Sequence, residues 1–125
     1  MPYRILVVIW MSVMFILSIL PSGNASKISF LHIPHIDKLM HAFCHFTIVM
    51  LLLLDNQSRK YDYKNSIIAA ISISFLYGLS VEVSQKLFTT TRFFEISDIF
   101  ANIMGSFTAL LIFHFFFSPQ KLKKI

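Results

Sequence analysis

Ionisable and amide side chains recur within the apolar second half of the chain. Glu82 and Gln85 lie in one apolar run, Asp98 and Asn102 open the next, and Arg92 lies between the two runs. Such residues are expensive in an apolar segment, since a charged side chain at the centre of a membrane helix costs about 2.5–3.5 kcal/mol on insertion scales. The pattern therefore indicates side chains that either contact one another or bind a ligand.

A second polar set opens an earlier apolar run and consists of Asp37, Lys38 and His41. Asp37 and His41 are one helical turn apart, so on a helix they share a face, and Asp37 could orient His41 as a general base. Glu82 is the third candidate for acid–base chemistry. Because no serine or threonine lies in a nucleophile motif, the sequence leaves open whether the protein is an enzyme.

The composition indicates an integral membrane protein. The chain has 125 residues, of which 56% are hydrophobic, 14% are charged and 14 are phenylalanine, and its mean hydropathy is +0.70. A soluble domain of this length could not bury so much apolar surface. The net charge of +5 does not indicate a nucleic-acid partner, because the basic residues lie at the ends of the apolar runs.

Four apolar runs, each close to the roughly 20 residues that cross a bilayer, predict an all-α bundle of four transmembrane helices. The predicted helices lie in a single domain, residues 1–125, and cover residues 4–20, 36–54, 66–88 and 97–117. Short connections favour an antiparallel arrangement of successive helices. The segment Gly23-Asn24-Ala25 is also compatible with signal-peptide cleavage, but we expect the first run to remain as a helix.

The distribution of basic residues predicts that both termini are cytoplasmic, since cytoplasmic loops are enriched in Lys and Arg. Seven of the 11 basic residues lie on the side that the termini share: Arg4, Arg59, Lys60, Lys64, Lys121, Lys123 and Lys124. The remaining four are Lys27, Lys38, Lys86 and Arg92. In this orientation both polar sets lie at the outer face of the membrane.

Small residues predict close packing between the third and fourth helices. On the third helix, residues recur every four positions at Ala70, Ser74, Gly78 and Glu82, and on the fourth helix they do so at Ala101, Gly105 and Ala109. Small residues at this spacing let membrane helices approach closely. We therefore expect the two stripes to pack together and to bring the polar groups of these helices into contact.

In combination, these motifs resemble the VanZ-like family of membrane proteins. Asp37-Lys38-x-x-His41 is similar to the family's Asp-Lys-x-x-His signature, and two further segments and Arg92 resemble the rest of its pattern. Those segments are Gly78-x-x-x-Glu82-x-x-Gln85 and Asp98-x-x-x-Asn102-x-x-Gly105. The founding member is associated with teicoplanin resistance. The resemblance therefore implies a multi-pass protein of the bacterial cytoplasmic membrane with a role in the cell envelope.

At the outer face, the positive N-terminal ends of the second and fourth helices would lie beside Lys38 and Arg92, which favours an anion. The neighbouring acids would orient these cations and His41. The expected ligand is an anionic envelope molecule, such as a lipid-linked wall precursor, a lipid headgroup or a glycopeptide-related compound. The predicted ligand-binding residues are Asp37, Lys38, His41, Glu82, Gln85, Arg92, Asp98 and Asn102.

Three alternatives remain open. The first is zinc binding by histidines and acids, although their spacing matches no zinc template and we expect no metal. The residues concerned are His32, His35, His41, His45, Asp37 and Glu82. The second is a structural role, which needs several hydrogen bonds per acid because one such bond in a membrane contributes about 0.6 kcal/mol. The third is a channel or transporter, for which four helices would require an oligomer of unknown size.

Overall fold

The computed structural model of the chain describes residues 3–19, 36–88 and 95–117, and the regular structure in these ranges is entirely helical. The helices are α1 (Tyr3–Ile19), α2 (Ile36–Ser58), α3 (Tyr63–Phe88) and α4 (Ile96–Phe117). The predicted all-α architecture of four helices is thereby confirmed. Within the described ranges, α2, α3 and α4 are long and apolar enough to cross a membrane, and α1 is a shorter apolar helix of 17 residues.

The helices α2 and α3 extend further towards each other than the sequence predicts. The end of α2 is Ser58 rather than residue 54, and α3 begins at Tyr63 rather than residue 66. The longer α2 includes Asp55, whose carboxylate is paired with arginine side chains. The earlier start of α3 follows from Asp62, whose Oδ2 accepts a hydrogen bond from the backbone N–H of Asn65 at 3.1 Å and so caps the helix.

A tight turn at the C-terminus of α2 reverses the chain. The N–H of Tyr61 donates to the carbonyl of Asn56, and the N–H of Lys60 donates to the carbonyl of Gln57, both at 3.0 Å. Lys60 has a φ of 60°, in the left-handed region. These features define a Schellman motif with a lysine at the position that glycine usually occupies. The turn places α2 and α3 side by side in opposite directions.

The central helix of the bundle is α2, which contacts each of the other three helices. Its most extensive contact is with α4, which runs in the same direction. At one end Lys38 Nζ lies 3.1 Å from Glu95 Oε2, and at the other Gln57 Nε2 donates to the carbonyl of Phe117 at 2.7 Å. The contact between α3 and α4 is much smaller.

The close approach of α2 and α4 depends on Gly105. A methyl group on this residue would overlap the backbone carbonyl oxygen of Ala42. The small-residue spacing predicts that the small residues of α4 face α3, but Gly105 lies against Ala42 of α2 instead. Ala109 is also fully buried, and Ala101 is partly buried.

Three hydrogen bonds from side chains to backbone carbonyls connect α1 to the bundle. Trp10 Nε1 donates to the carbonyl of Cys44 in α2 at 3.2 Å. From α3, Tyr77 donates to the carbonyl of Met11 at 2.8 Å, and Gln85 Nε2 donates to that of Ser18 at 3.1 Å. Because these bonds are distributed along its length, α1 packs as an integral part of the bundle.

The surface of the bundle is apolar, whereas its interior is rich in polar groups. Large hydrophobic side chains from every helix are exposed, for example Val8, Leu39, Leu76, Phe100 and Phe116. The buried polar residues are His45, Asp55, Ser66, Ser74, Glu82, Gln85, Asp98, Asn102 and Ser106. This distribution suits a bundle whose outer surface contacts lipid, because polar groups in membrane helices face the protein interior.

Candidate functional site

Three helices bring ionisable and amide side chains together at the end of the bundle where α2 and α4 begin and α3 ends. We call this group the polar cluster. It consists of Asp37, Lys38, His41, Glu82, Glu95, Asp98 and Asn102. Each helix contributes because its polar residues lie within about two turns of that end. Glu95 is the member that the sequence analysis did not single out.

Lys38 connects the acids at the rim of the polar cluster. Its Nζ lies 3.1 Å from Glu95 Oε2, 3.3 Å from Asp37 Oδ2 and 3.7 Å from Asp98 Oδ1. The two shorter contacts are hydrogen bonds to exposed acids. Since the lysine side chain is still 29% exposed, it lies at the surface of the bundle, where the acids orient its ammonium group.

His41 lies deeper in the polar cluster and contacts α4 through both ring nitrogens. Its Nδ1 lies 3.2 Å from Asn102 Oδ1, and its Nε2 lies 3.7 Å from Asp98 Oδ2. An amide oxygen only accepts hydrogen bonds, so this contact assigns the hydrogen of the ring to Nδ1. In the neutral ring the lone pair of Nε2 then faces the Asp98 carboxylate.

Two carboxylates of the polar cluster are buried, those of Glu82, which is 0% exposed, and Asp98, which is 7% exposed. One ligand atom from each of His41, Glu82 and Asp98 lies within 4.8 Å of the others. Within the described ranges, the polar cluster contains four carboxylates, one lysine and one histidine. The described part of the site therefore contains more carboxylates than the anion site that the sequence predicts.

A separate chain of buried hydrogen bonds joins α2, α3 and α4 next to the polar cluster. His45 Nδ1 lies 2.7 Å from Ser74 Oγ, which lies 3.0 Å from Ser106 Oγ. A methyl group on Gly78 would be 2.9 Å from Asn102 Nδ2 and 3.0 Å from His45 Cε1, so this glycine lets α3 approach both side chains. The sequence feature that could have identified Ser74 is its position four residues before Gly78, which places both residues on the same face of α3.

A cleft opens between α3 and α4 beside the polar cluster and has a volume of about 220 Å³. Asn102, His45 and Ser106 lie in its lining, which is otherwise apolar. Two other lining residues, Phe75 and Phe107, are about half exposed on the surface of the bundle, at 48% and 52%. The cleft is therefore open on the side that would face lipid and shares Asn102 with the polar cluster.

A third buried acid, which lies just beyond the predicted end of the second helix at residue 54, is found at the opposite end of the bundle. Asp55 Oδ2 accepts hydrogen bonds from Arg4 Nε at 2.7 Å and from Arg59 Nε at 2.9 Å. Arg4 also lies 3.5 Å from the hydroxyl of Tyr61. The spacing of four residues between Asp55 and Arg59 is enough to predict their ion pair on a helix. The contact with Arg4 joins two distant parts of the sequence, so no spacing predicts it.

The remaining predicted site residues have different placements. Gln85 is buried and donates to the carbonyl of Ser18, so it contacts α1 rather than forming part of the polar cluster. His45, a candidate zinc ligand, is hydrogen-bonded to Ser74. Arg92, His32 and His35 lie outside the described residues.

Comparison with protein families gives one result that covers most of the chain. The model of the VanZ/LLP1 family matches residues 3–117, which include all four helices and every residue of the polar cluster. No curated protein and no solved structure matches the chain. The match over nearly the full length agrees with the motifs at the helix ends and with the apolar helices. The chain belongs to the VanZ/LLP1 family of membrane proteins.

Proposed function

We propose that the polar cluster binds the anionic headgroup of an envelope lipid or a lipid-linked wall precursor. The observation that carries this proposal is the position of Lys38. Its ammonium group is held by hydrogen bonds to Asp37 and Glu95 at 3.3 and 3.1 Å, and its side chain remains partly exposed at the rim of the polar cluster. A positioned ammonium group beside the N-terminal ends of α2 and α4 favours a phosphate or carboxylate.

The proposal assigns the polar cluster to the outer side of the membrane. Basic residues are concentrated at the opposite end of the bundle, where Arg4, Arg59, Lys60 and Lys64 lie. An excess of Lys and Arg is typical of the cytoplasmic side. The polar cluster would then be accessible from the outer leaflet, where wall precursors are used and where lipid headgroups are abundant.

The cleft between α3 and α4 favours a lipid over a soluble anion. It opens on the apolar surface of the bundle and reaches Asn102, which is hydrogen-bonded to His41. A lipid chain could lie in the apolar part while its headgroup contacts Lys38. A water-soluble anion would make no use of an apolar lining.

The proposal is tested with purified full-length protein in detergent, titrated with phosphatidylglycerol, undecaprenyl phosphate or zwitterionic phosphatidylcholine. Teicoplanin serves as a competitor because of the family association. We expect Lys38→Gln to weaken binding of the anionic lipids about tenfold, the equivalent of 1.4 kcal/mol, and to leave phosphatidylcholine binding unchanged.

The matched control is Lys64→Gln, which removes the same charge from an exposed position at the other end of the bundle. It should bind anionic lipids as the wild type does. Equal binding by wild type and Lys38→Gln, or equal weakening in both lysine variants, would contradict the proposal.

A further inference from the structure

Two electron-donating atoms face each other at the centre of the polar cluster. Because Nδ1 of His41 donates to Asn102 Oδ1 at 3.2 Å, the neutral imidazole presents the lone pair of Nε2 on its other side. That nitrogen lies 3.7 Å from Oδ2 of Asp98, beyond the length of a hydrogen bond. A positively charged group between these two atoms would stabilise both.

The carboxylate of Asp98 supplies an independent indication. The residue is 7% exposed, and its Oδ1 accepts no hydrogen bond within the described ranges. The nearest described cation is Lys38, whose Nζ is 3.7 Å from this oxygen and makes shorter contacts with Asp37 and Glu95. A buried carboxylate needs closer compensation than this, because burial without it is costly.

We propose that His41, Glu82 and Asp98 bind a divalent transition-metal ion of the Zn²⁺ type. Their ligand atoms come from three helices and lie within 4.8 Å of one another. Imidazole nitrogen and carboxylate oxygen are both ligands that zinc takes in proteins, and ligands at 2.0–2.2 Å from a tetrahedral ion are roughly 3.4 Å apart. The separation of 3.7 Å between His41 and Asp98 is already close to that value, and Glu82 supplies the third ligand atom within 4.8 Å of both.

Asn102 has a positioning role in this proposal. Its hydrogen bond to Nδ1 fixes the tautomer in which Nε2 is the ligand, and outer-shell partners of this kind are general among metal-bound histidines. Three protein ligands leave a coordination position open. The proposal is independent of headgroup binding, since the chain supplies all three ligands. A bound dication would also offset the excess of carboxylates that otherwise disfavours an anion.

The competing explanation is a second proton on His41. An imidazolium would also place positive charge beside Asp98 without any metal. The two explanations differ in one measurable property, which is whether the purified protein binds a metal ion in stoichiometric amount through these residues.

The experiment uses full-length protein in detergent, stripped with a chelator and titrated with Co²⁺ alone, with no lipid added. Tetrahedral Co²⁺ gives strong visible absorption bands, and Zn²⁺ should displace it. We expect one Co²⁺ per chain in the wild type. We expect binding at least about 100-fold weaker in His41→Gln and Asp98→Asn, because each removes a direct ligand or its charge.

The control is His114→Gln, which removes an exposed histidine at the opposite end of α4 and should bind Co²⁺ as the wild type does. Helix content and elution volume identify variants that fail to fold. If His41→Gln fails, the nearly isosteric Asp98→Asn decides the question.

A wild type that binds no stoichiometric Co²⁺ would overturn the proposal, as would binding that survives in Asp98→Asn. Lys38→Gln separates the two proposals, because it should retain Co²⁺ binding even where binding of anionic lipid is lost. A protein that binds the lipid and no metal leaves the headgroup proposal standing alone.

Discussion

The side chain of Arg4 donates from Nε to Oδ2 of Asp55 over 2.7 Å, across 51 positions of sequence. The same oxygen accepts a hydrogen bond from Arg59 at 2.9 Å. One carboxylate, which is 2% exposed, therefore joins the start of α1 to the end of α2. This arrangement stabilises the end of the bundle opposite the polar cluster.

We expect Asp55→Asn to lower the stability of the bundle by about 2 kcal/mol. The amide keeps the shape of the side chain but removes the charge to which both guanidinium groups donate, and hydrogen bonds to charged groups contribute about 1.5–3 kcal/mol. Both arginine side chains are partly exposed, at 51% and 39%, so water recovers part of the loss. Thermal unfolding in detergent measures the change.

The matched control is Asp62→Asn. Asp62 is an exposed acid that caps α3, and asparagine is an equally good cap. Its melting temperature should stay within error of the wild type, and a decrease as large as that of Asp55→Asn would show that the effect is not specific to the pairing of Asp55.

The spacing of polar residues predicted much of the polar cluster but not the partners of Asp55. Asp37 and His41 open α2, Asp98 opens α4, and Glu82 lies near the end of α3, so an antiparallel hairpin alone brings these residues to one end. The contact of Asp55 with Arg4 depends on how α1 packs. No local spacing encodes that packing, and the apolar run that predicts the second helix ends at residue 54, just before Asp55.

The choice of partner helix for Gly105 was unpredictable for a related reason. A small residue permits a close approach, but its spacing does not say which neighbour approaches. The structure places the backbone of Ala42 there, because α2 and α4 run side by side along their length. The contact between α3 and α4 is small, which leaves room for the cleft.

We expect Gly105→Ala to destabilise the protein more than Gly78→Ala does. A methyl group at residue 105 meets rigid backbone, the carbonyl of Ala42, so α2 and α4 must separate at a cost of about 1–3 kcal/mol. At residue 78 the nearest atoms belong to the side chains of Asn102 and His45, at 2.9 and 3.0 Å, and these can shift. Comparison of the two melting temperatures checks the order.

The two glycine substitutions also differ in their effect on the polar cluster. Gly78→Ala displaces Asn102, which is hydrogen-bonded to His41. It should therefore weaken binding at the polar cluster even though its melting temperature falls less than that of Gly105→Ala. If Gly78→Ala proved the more destabilising of the two, the assignment of the closest helix contact to α2 and α4 would be wrong.

Ser74 is expected to be the most sensitive serine of α3. Its hydroxyl lies 2.7 Å from His45 Nδ1 and 3.0 Å from Ser106 Oγ in the buried interior. Ser74→Ala leaves the imidazole nitrogen without this partner, and an unsatisfied buried polar group costs about 1–3 kcal/mol. The same substitution at Ser80, which is exposed and donates to the carbonyl of Leu76 in its own helix, should change the melting temperature little. Similar decreases for both serines would argue against the importance of the buried hydrogen-bond chain.

Lys60 offers a route to a more stable protein. Its φ of 60° lies in the left-handed region, which costs an ordinary L-residue roughly 1–2 kcal/mol and glycine very little. The turn at the end of α2 needs only backbone atoms of this residue, whose N–H donates to the carbonyl of Gln57 at 3.0 Å. We therefore expect Lys60→Gly to raise stability by about 0.5–1 kcal/mol, since greater freedom of the unfolded chain offsets part of the gain.

Lys60→Ala, which removes the same charge and keeps the Cβ atom, separates the conformational effect from the electrostatic one. Thermal unfolding should show an increase for glycine and none for alanine, and equal increases for both would assign the effect to charge instead.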